Sequence, residues 1–418
     1  MPTITITGAH GQPITLNYGG DTTGGGSSSP AASIAQAVAN VIANSIVNNN
    51  VTPMDNSNGM APYVAPGQTG ALVVSDSSAT PLPSRDDIVI VSAPNANLTG
   101  NGDPGVMILG GAGNLTYFAS GVATGSGTIA GADGNNIIGI PSSDSGAWLI
   151  ALGNGNNRIL ALGGGADTIT TGTGHNAITI GAGAGIITTS GTDLITARGS
   201  DSITSSGNDT INSTGTAVVH GGQTLVFVGG LGSTIYGGSG GDTLTGGLGP
   251  DLMVGGSAGN NSLTAGLGTA TLYGGGAGDQ LFASGSQPQI LSAGSGSETL
   301  SGANASGVDT FMAGAGSNTI IGGSGTNTFV ASSGNATISA PPAAANAFDF
   351  VSGSAGGNLT VENLSLPSQV WLNLTGYGAS YTPTQQNTPG GLMITLSDNT
   401  TITFANITSG TVTNIKLM

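Results

Sequence analysis

Residues 237–254 read GGSGGDTLT followed directly by GGLGPDLMV. Both nine-residue units have the form Gly-Gly-x-Gly-x-Asp-x-apolar-x: Gly237, Gly238, Gly240, Asp242 and Leu244, then Gly246, Gly247, Gly249, Asp251 and Met253. Each divides into a glycine-rich turn and a short strand. Glycine permits positive φ and lets neighbouring turns stack closely. A strand turns its middle residue inward and its neighbours outward. Leu244 and Met253 are therefore expected in a core, with Thr243 and Thr245 on the surface. Two units make one coil, and a core forms only where coils stack. Asp242 sets a carboxylate among inward turn carbonyls, which suits a hard cation seeking oxygen ligands.

The same register runs outward on both sides. Toward the N-terminus the inward apolar positions are Ile159, Ile169, Ile178, Ile187, Ile195, Ile203 and Ile211. Toward the C-terminus they are Ile235, Leu244, Met253, Leu263, Leu272, Leu281, Ile290, Leu300, Phe311, Ile320, Phe329 and Ile338. Residues 213–230 keep strand chemistry but blur the period. The expected fold class is all-β: a parallel β-roll or β-solenoid with glycine-rich nonapeptide turns, one N-terminal helix and a C-terminal β segment.

Composition agrees. Glycine is 77 of 418 residues, more than double the usual share of about 7%. A disordered linker would lack the apolar residues at fixed spacing. The formal net charge is −16, with only Arg85, Arg158, Arg198 and Lys416 basic. That balance argues against nucleic acid and anionic membrane surfaces as partners. There is no cysteine. The stretch MPTITITGAH has neither a basic nor an apolar signal region, and no apolar run is long enough for a transmembrane helix.

Four segments are expected. Residues 1–84 hold two β runs at 3–7 and 13–18, a helix over 30–47 and an irregular linker over 48–84. The helix presents Ile34, Val38, Val41, Ile42 and Ser45 on one face, to cap the solenoid or to dock on another copy. Residues 85–150 read as degenerate coils, 151–340 as the nonapeptide roll, and 341–418 as a β segment. In the last, GLMITLSDNTTITFANI alternates around Asp398-Asn399 as a hairpin.

The repeats at 237–254 resemble the repeats-in-toxin family, the hemolysin-type calcium-binding proteins of Gram-negative bacteria. The tail, FDFVSGSAGGNLTVENL, VWLNLTGYG and GLMITLSDNTTITFANI, resembles the C-terminal targeting region of type I secretion substrates. The resemblance covers about residues 150–418. It implies a right-handed β-roll, Ca2+ as cofactor, and export through a channel that reads the uncleaved C-terminus. The family spans enzymes, toxins, adhesins and surface-layer proteins, so it does not fix function.

The metal position is Asp at 167, 193, 201, 209, 242, 251, 279 and 309, and Asn at 157, 176, 261, 318 and 327. Ser233, Ala270, Pro288, Glu298 and Ala336 occupy it elsewhere. Ions between stacked turns need acids on the same edge, hence in every second unit. Asp242 then faces Asn261 and next Asp279, while Asp251 faces Ala270, so the column of ions is interrupted. Calcium is expected around Asp242, Asp251 and Asp279 with turn glycines Gly238, Gly240, Gly247 and Gly249, and in a second cluster at Asp193, Asp201 and Asp209. Asparagines can bond turn amides as a neutral ladder.

Catalytic constellations are sparse. His10, His175 and His220 are far apart and none lies beside Glu, so a H-E-x-x-H zinc motif is absent. G-x-S-x-G occurs at 237–241 and 255–259, but inside nonapeptide turns rather than at a strand–helix elbow. A pore-forming relative would carry acylated lysines, and Lys416 is the only lysine. The sequence therefore reads as a secreted, non-enzymatic structural protein of the cell surface or extracellular matrix. Homo-oligomers or filaments are the expected assembly, and a cell-surface polysaccharide is a candidate partner. A polysaccharide-active enzyme on a β-helix and an ice-binding solenoid are the alternatives.

Overall fold

The computed structural model describes residues 3–7, 13–17, 30–47, 51–55, 69–82, 88–102, 104–120, 125–131, 133–342, 345–364 and 366–418. It falls into two units, Met1–Ala217 and Val218–Met418. Each is a parallel β-solenoid in which a strand pairs with the strand one coil on.

In the first unit two sheets bring inward isoleucines into file. Ile129, Ile150, Ile169, Ile187 and Ile203 stand in register on one sheet. Ile138, Ile159, Ile178, Ile195 and Ile211 do so on the other. All are buried. β-Branched side chains suit a pleated, packed surface, and each buried Ile contributes roughly 1.5–3 kcal/mol. The coils begin earlier than the sequence suggests. Val51–Asp55 pairs in parallel with Thr69–Val74, and that strand with Ile88–Val91. The short apolar runs of 48–84 are thus strands, hidden in the sequence by the Asn, Pro and Gly around them.

The helix Pro30–Val47 neither closes an end nor stands free. Ala35, Val38, Ala39 and Ile42 pack on Ala71, Val73, Ile88, Ile90, Leu109 and Ala130. Those partners point outward from the first sheet, because their neighbours Val89, Ile108 and Ile129 are in file with the inward isoleucines. Strand Ile88–Val91 is accordingly buried at all four positions, as expected for a strand covered on both faces. Val41, expected on the buried face, is 50% exposed. The seam follows positions 31, 35, 38, 39 and 42 instead, because small alanines let the helix approach the sheet. Ser45 is half-buried and bonds the Val41 carbonyl at 2.9 Å. Thr3–Thr7 and Pro13–Asn17 form an antiparallel pair.

In the second unit one file runs Phe227, Leu244, Leu263, Leu281, Leu300, Ile320, Ile338 and Val361. The other runs Ile235, Met253, Leu272, Leu291, Phe311, Phe329, Phe348 and Leu372. Phe329 stacks on Phe311 and Phe348 with ring centroids 5.5 and 5.2 Å apart. Ile290 was expected inward and is 40% exposed; Leu291 takes its place. Leu291 follows the inward Leu281 by ten residues rather than nine, so the count slips by one before this strand. Gln289 therefore replaces Pro288 at the inward polar position.

Parallel pairing continues through residue 341 without a break. Asn327–Val330 pairs with Asn346–Val351, and Asn335–Ser339 with Asn358–Glu362. The expected hairpin joins Gly391–Thr395 to Thr401–Phe404. Asn399 takes φ +65° in its turn, and Asp398 accepts from Tyr377 Oη at 2.6 Å and Thr400 Oγ1 at 2.8 Å. Thr401–Phe404 also pairs in parallel with Asn358–Glu362, so the tail is built into the solenoid.

Candidate metal-binding turns

The acids of the nonapeptides turn inward at the start of each strand and tie successive coils together. Asp242 Oδ1 accepts the Leu225 N–H at 2.7 Å from the preceding coil, and Oδ2 accepts the Gly238 N–H of its own turn at 2.9 Å. Asp251 repeats this with Ser233 at 2.9 Å and Gly247 at 2.7 Å. Asp279 accepts from the Asn261 N–H at 2.8 Å and the Gly275 N–H at 2.5 Å. All three carboxylates are buried. Burial pushes the carboxyls of Asp242 and Asp251 above the usual range, and the backbone amides partly offset this.

Glycine is required here for closeness. None of Gly237, Gly238, Gly240, Gly246, Gly247 and Gly249 takes positive φ. A Cβ on Gly238 would lie 2.1 Å from the Gln223 carbonyl oxygen, and one on Gly249 2.0 Å from that of Leu231. In the next coil, a Cβ on Gly256 would meet Gly238 O at 2.2 Å and Asp242 Oδ2 at 2.5 Å. A turn carbonyl and a carboxylate oxygen thus converge on the facing turn. Asp251 Oδ2 likewise lies under Gly246.

This donor set fits a hard cation chemically: oxygens only, one of them anionic. The acids are nevertheless dispersed. Asp242 and Asp279 share one edge with Asn261 between them, and Asp251 lies on the other edge between Ser233 and Ala270. Among the described residues no three His, Cys, Asp or Glu side chains gather into a metal cluster. Asn261 fills the gap by accepting the Asp242 N–H at 2.8 Å and donating to Gly256 O and Asp279 Oδ1, each at 2.9 Å.

In the first unit the neutral ladder is explicit. Asn136 donates to Asn157 at 2.8 Å, Asn157 to Asn176 at 2.9 Å, and Asn176 to Asp193 at 2.7 Å. Asp209 follows in the same column and accepts the Asp193 N–H at 2.8 Å. Asp201, placed with these two by the sequence, is on the opposite edge and accepts from Gly185 and Gly199. The residues that the sequence reading missed are hydroxyls. Thr171, Thr189 and Ser205 follow the inward Ile169, Ile187 and Ile203 by two positions, so strand parity alone places them inward. His175 and His220 are exposed, and His220 stacks on Tyr236 at 4.9 Å. His10 lies outside the described residues. Ser239 sits in a turn between Ser233–Tyr236 and Thr243–Thr245, with its hydroxyl on the Gly222 carbonyl.

The RTX calcium-binding nonapeptide repeat matches in four copies, over residues 228–253, 256–281 and 304–338. No curated protein and no solved structure matches the chain. Proteins with this repeat bind Ca2+. The glycine turns, their inward acids and the stacked parallel coils make this chain a carrier of the RTX nonapeptide repeat with a fold that fits the RTX β-roll family.

Proposed function

We propose that the protein is a secreted, non-enzymatic scaffold of the cell surface or extracellular matrix, stiffened by calcium at Asp242, Asp251 and Asp279 and assembled from copies of itself. One observation carries the reading. The outward residues of one sheet in the second unit run Thr234, Tyr236, Leu252, Val254, Thr271, Tyr273, Ile290, Ser292, Thr310, Met312, Thr328 and Val330. Over these six strands the face carries no charge, Asp349 being in register with Val330 on the next strand, and Tyr236, Tyr273, Ile290 and Met312 are well exposed. Flat apolar sheet faces of this kind are interaction surfaces, and an uncharged one suits a second copy better than a charged ligand.

The buried acids support the same reading, because backbone amides from neighbouring coils hold them. No helix among the described residues is long and apolar enough to cross a membrane. The tail resembles a type I secretion signal, which accords with export of a chain that folds once it meets external calcium. Affinities of extracellular calcium modules lie around 10⁻⁴–10⁻³ M.

Electron microscopy with and without calcium tests the proposal, alongside Ile290→Lys, which puts a charge at the centre of the uncharged face. Calcium-dependent filaments or lattices that the variant cannot form are the expected result. Monodisperse monomers in calcium, or cleavage of a polysaccharide, would overturn it.

A further inference from the structure

Thr384–Thr388, with the sequence TQQNT, is the outermost strand of its sheet in the second unit. It pairs in antiparallel with Gly391–Thr395, and that strand with Thr401–Phe404. Among the described residues no backbone bond reaches it from its other side. Thr384, Gln386 and Asn387 are exposed. An antiparallel ladder alternates the direction of its bonds, so every second residue here directs an N–H and a C=O off the edge. The strand is held in place. The Gln385 side-chain amide donates to the Val412 carbonyl at 3.0 Å and accepts the Val412 N–H at 2.8 Å. Thr388 Oγ1 donates to the Gly391 carbonyl at 2.8 Å.

Edge strands are usually guarded by proline, by charge or by short length, because an open ladder recruits another strand. The other terminal strands of the two solenoid sheets follow that rule. Val51–Asp55 contains Pro53 and Asp55, Ala79–Pro81 is three residues long and ends in proline, and Ile415–Leu417 is three residues long with Lys416 at its centre. Thr384–Thr388 has none of these devices. No charged residue occurs between Glu362 and Asp398, in a chain of net charge −16. Two acidic copies meet little repulsion at such an edge.

The strand is also close to palindromic. Laid antiparallel on itself about Gln386, it sets Thr384 opposite Thr388, Gln385 opposite Asn387 and Gln386 opposite its own copy. Each pair joins side chains of one kind, and none is charged. The same two-fold pairs residues of equal parity, so the N–H and C=O groups that leave one edge meet those that leave the other. We infer that Thr384–Thr388 is a self-pairing edge that joins two copies of the chain about a two-fold axis at Gln386. The inference rests on the reading of a self-assembling scaffold and adds the second contact that extended growth requires. A two-fold contact alone closes at a dimer, whereas an edge and a face together propagate.

The chain has no cysteine, so single cysteines report the register by oxidative crosslinking of the full chain in calcium. Facing residues of an antiparallel ladder lie about 4.5–5.5 Å apart at Cα, within disulfide reach. Gln386→Cys alone is expected to give a disulfide dimer, and to do so equally beside Ile290→Lys. Thr384→Cys and Thr388→Cys should each stay uncrosslinked alone and crosslink when mixed. Gln386→Glu puts like charges across the axis and should raise the dimer dissociation constant about fivefold in light scattering. Mixing it with Gln386→Lys should restore the dimer. Equal crosslinking of Thr384→Cys and Gln386→Cys alone would mean random collision and would overturn the edge. Filaments that form with no crosslink at Gln386→Cys would overturn the edge and leave the scaffold standing. A crosslinked dimer without filaments would do the reverse.

Discussion

Asn261 reaches Asp279 across one coil with two bonds to a single oxygen, from its side-chain amide at 2.9 Å and its backbone N–H at 2.8 Å. A neutral residue thus separates the acids Asp242 and Asp279 on that edge. Asn261→Asp removes the donor to Asp279 and to Gly256 O and puts a further buried carboxylate in a column that already holds Asp242, Asp279 and Glu298. Without calcium it should destabilise the second unit by about 1–3 kcal/mol, the cost of unmet buried polar groups. With calcium the loss should reverse, and at least one additional equivalent should bind. Differential scanning calorimetry in chelator and in millimolar calcium reads both effects. Destabilisation that calcium leaves untouched would show that this edge does not take ions.

Asp242 has a structural duty that is separable from metal binding. Its Oδ1 meets the Leu225 N–H and its Oδ2 the Gly238 N–H. Asp242→Ala leaves both amides buried and unmet, so it should lower stability in chelator by about 1–3 kcal/mol for each. Asp242→Asn keeps the bond to Leu225, as Asn261 does to Asp242, and should be nearly neutral in chelator. Both should lose the part of the calcium-induced rise in Tm that this site contributes. Equal behaviour of the two variants in chelator would contradict the ladder role.

Asp309 controls a pH dependence of opposite sign to that of most surface acids. Its Oδ2 is buried without a partner, and burial pushes its carboxyl up to about 6, against the bond from the Gln289 N–H. The folded chain then holds a proton between about pH 4 and pH 6 that the unfolded chain has released. Stability falls by about 1.4 kcal/mol for each pH step across that window and stays low above it. Asp309→Asn removes the charge and keeps an acceptor for Gln289. It should be more stable than the unsubstituted protein at pH 7 in chelator, by about 2–3 kcal/mol, and similar at pH 4. Urea midpoints at the two pH values check the sign.

Much of this was legible in the sequence because a solenoid repeats one local rule. The nine-residue spacing placed Ile159 to Ile211 and most of Ile235 to Ile338 inward, and it turned the acids and asparagines of the strand starts inward with them. It failed where local geometry broke the count. One extra residue between Leu281 and Leu291 moved Ile290 outward, which a fixed period cannot register. The start of the coils was masked because VTPMD and TGALVV are too short to stand out from their polar surroundings. The division of Asp193, Asp201 and Asp209 between two edges follows from alternation of turns and could have been read from their eight-residue spacing. The inward hydroxyls of Thr171, Thr189 and Ser205 could have been read too, because each lies two positions past an inward isoleucine.

The helix offers the sharpest contrast between neighbouring positions. Ile42 is fully buried on the outer face of the first sheet, and Val41 beside it is half exposed. A helix whose face were set by its largest apolar residues would value both. The observed seam uses Ala35, Val38, Ala39 and Ile42. Ile42→Ala should therefore cost about 2–5 kcal/mol through lost burial and a residual cavity. Val41→Ala should stay within about 0.5 kcal/mol, as for an open surface site. Trp148 is buried in the first unit, with its Nε1 donating to Asp144 Oδ2 at 3.2 Å, and it reports that unit alone once Trp371 is replaced by Phe. Urea titrations followed by Trp148 fluorescence should move the midpoint for Ile42→Ala and leave it in place for Val41→Ala. Matching shifts would place the helix in a different rotation, and no shift in either would detach it from the sheet.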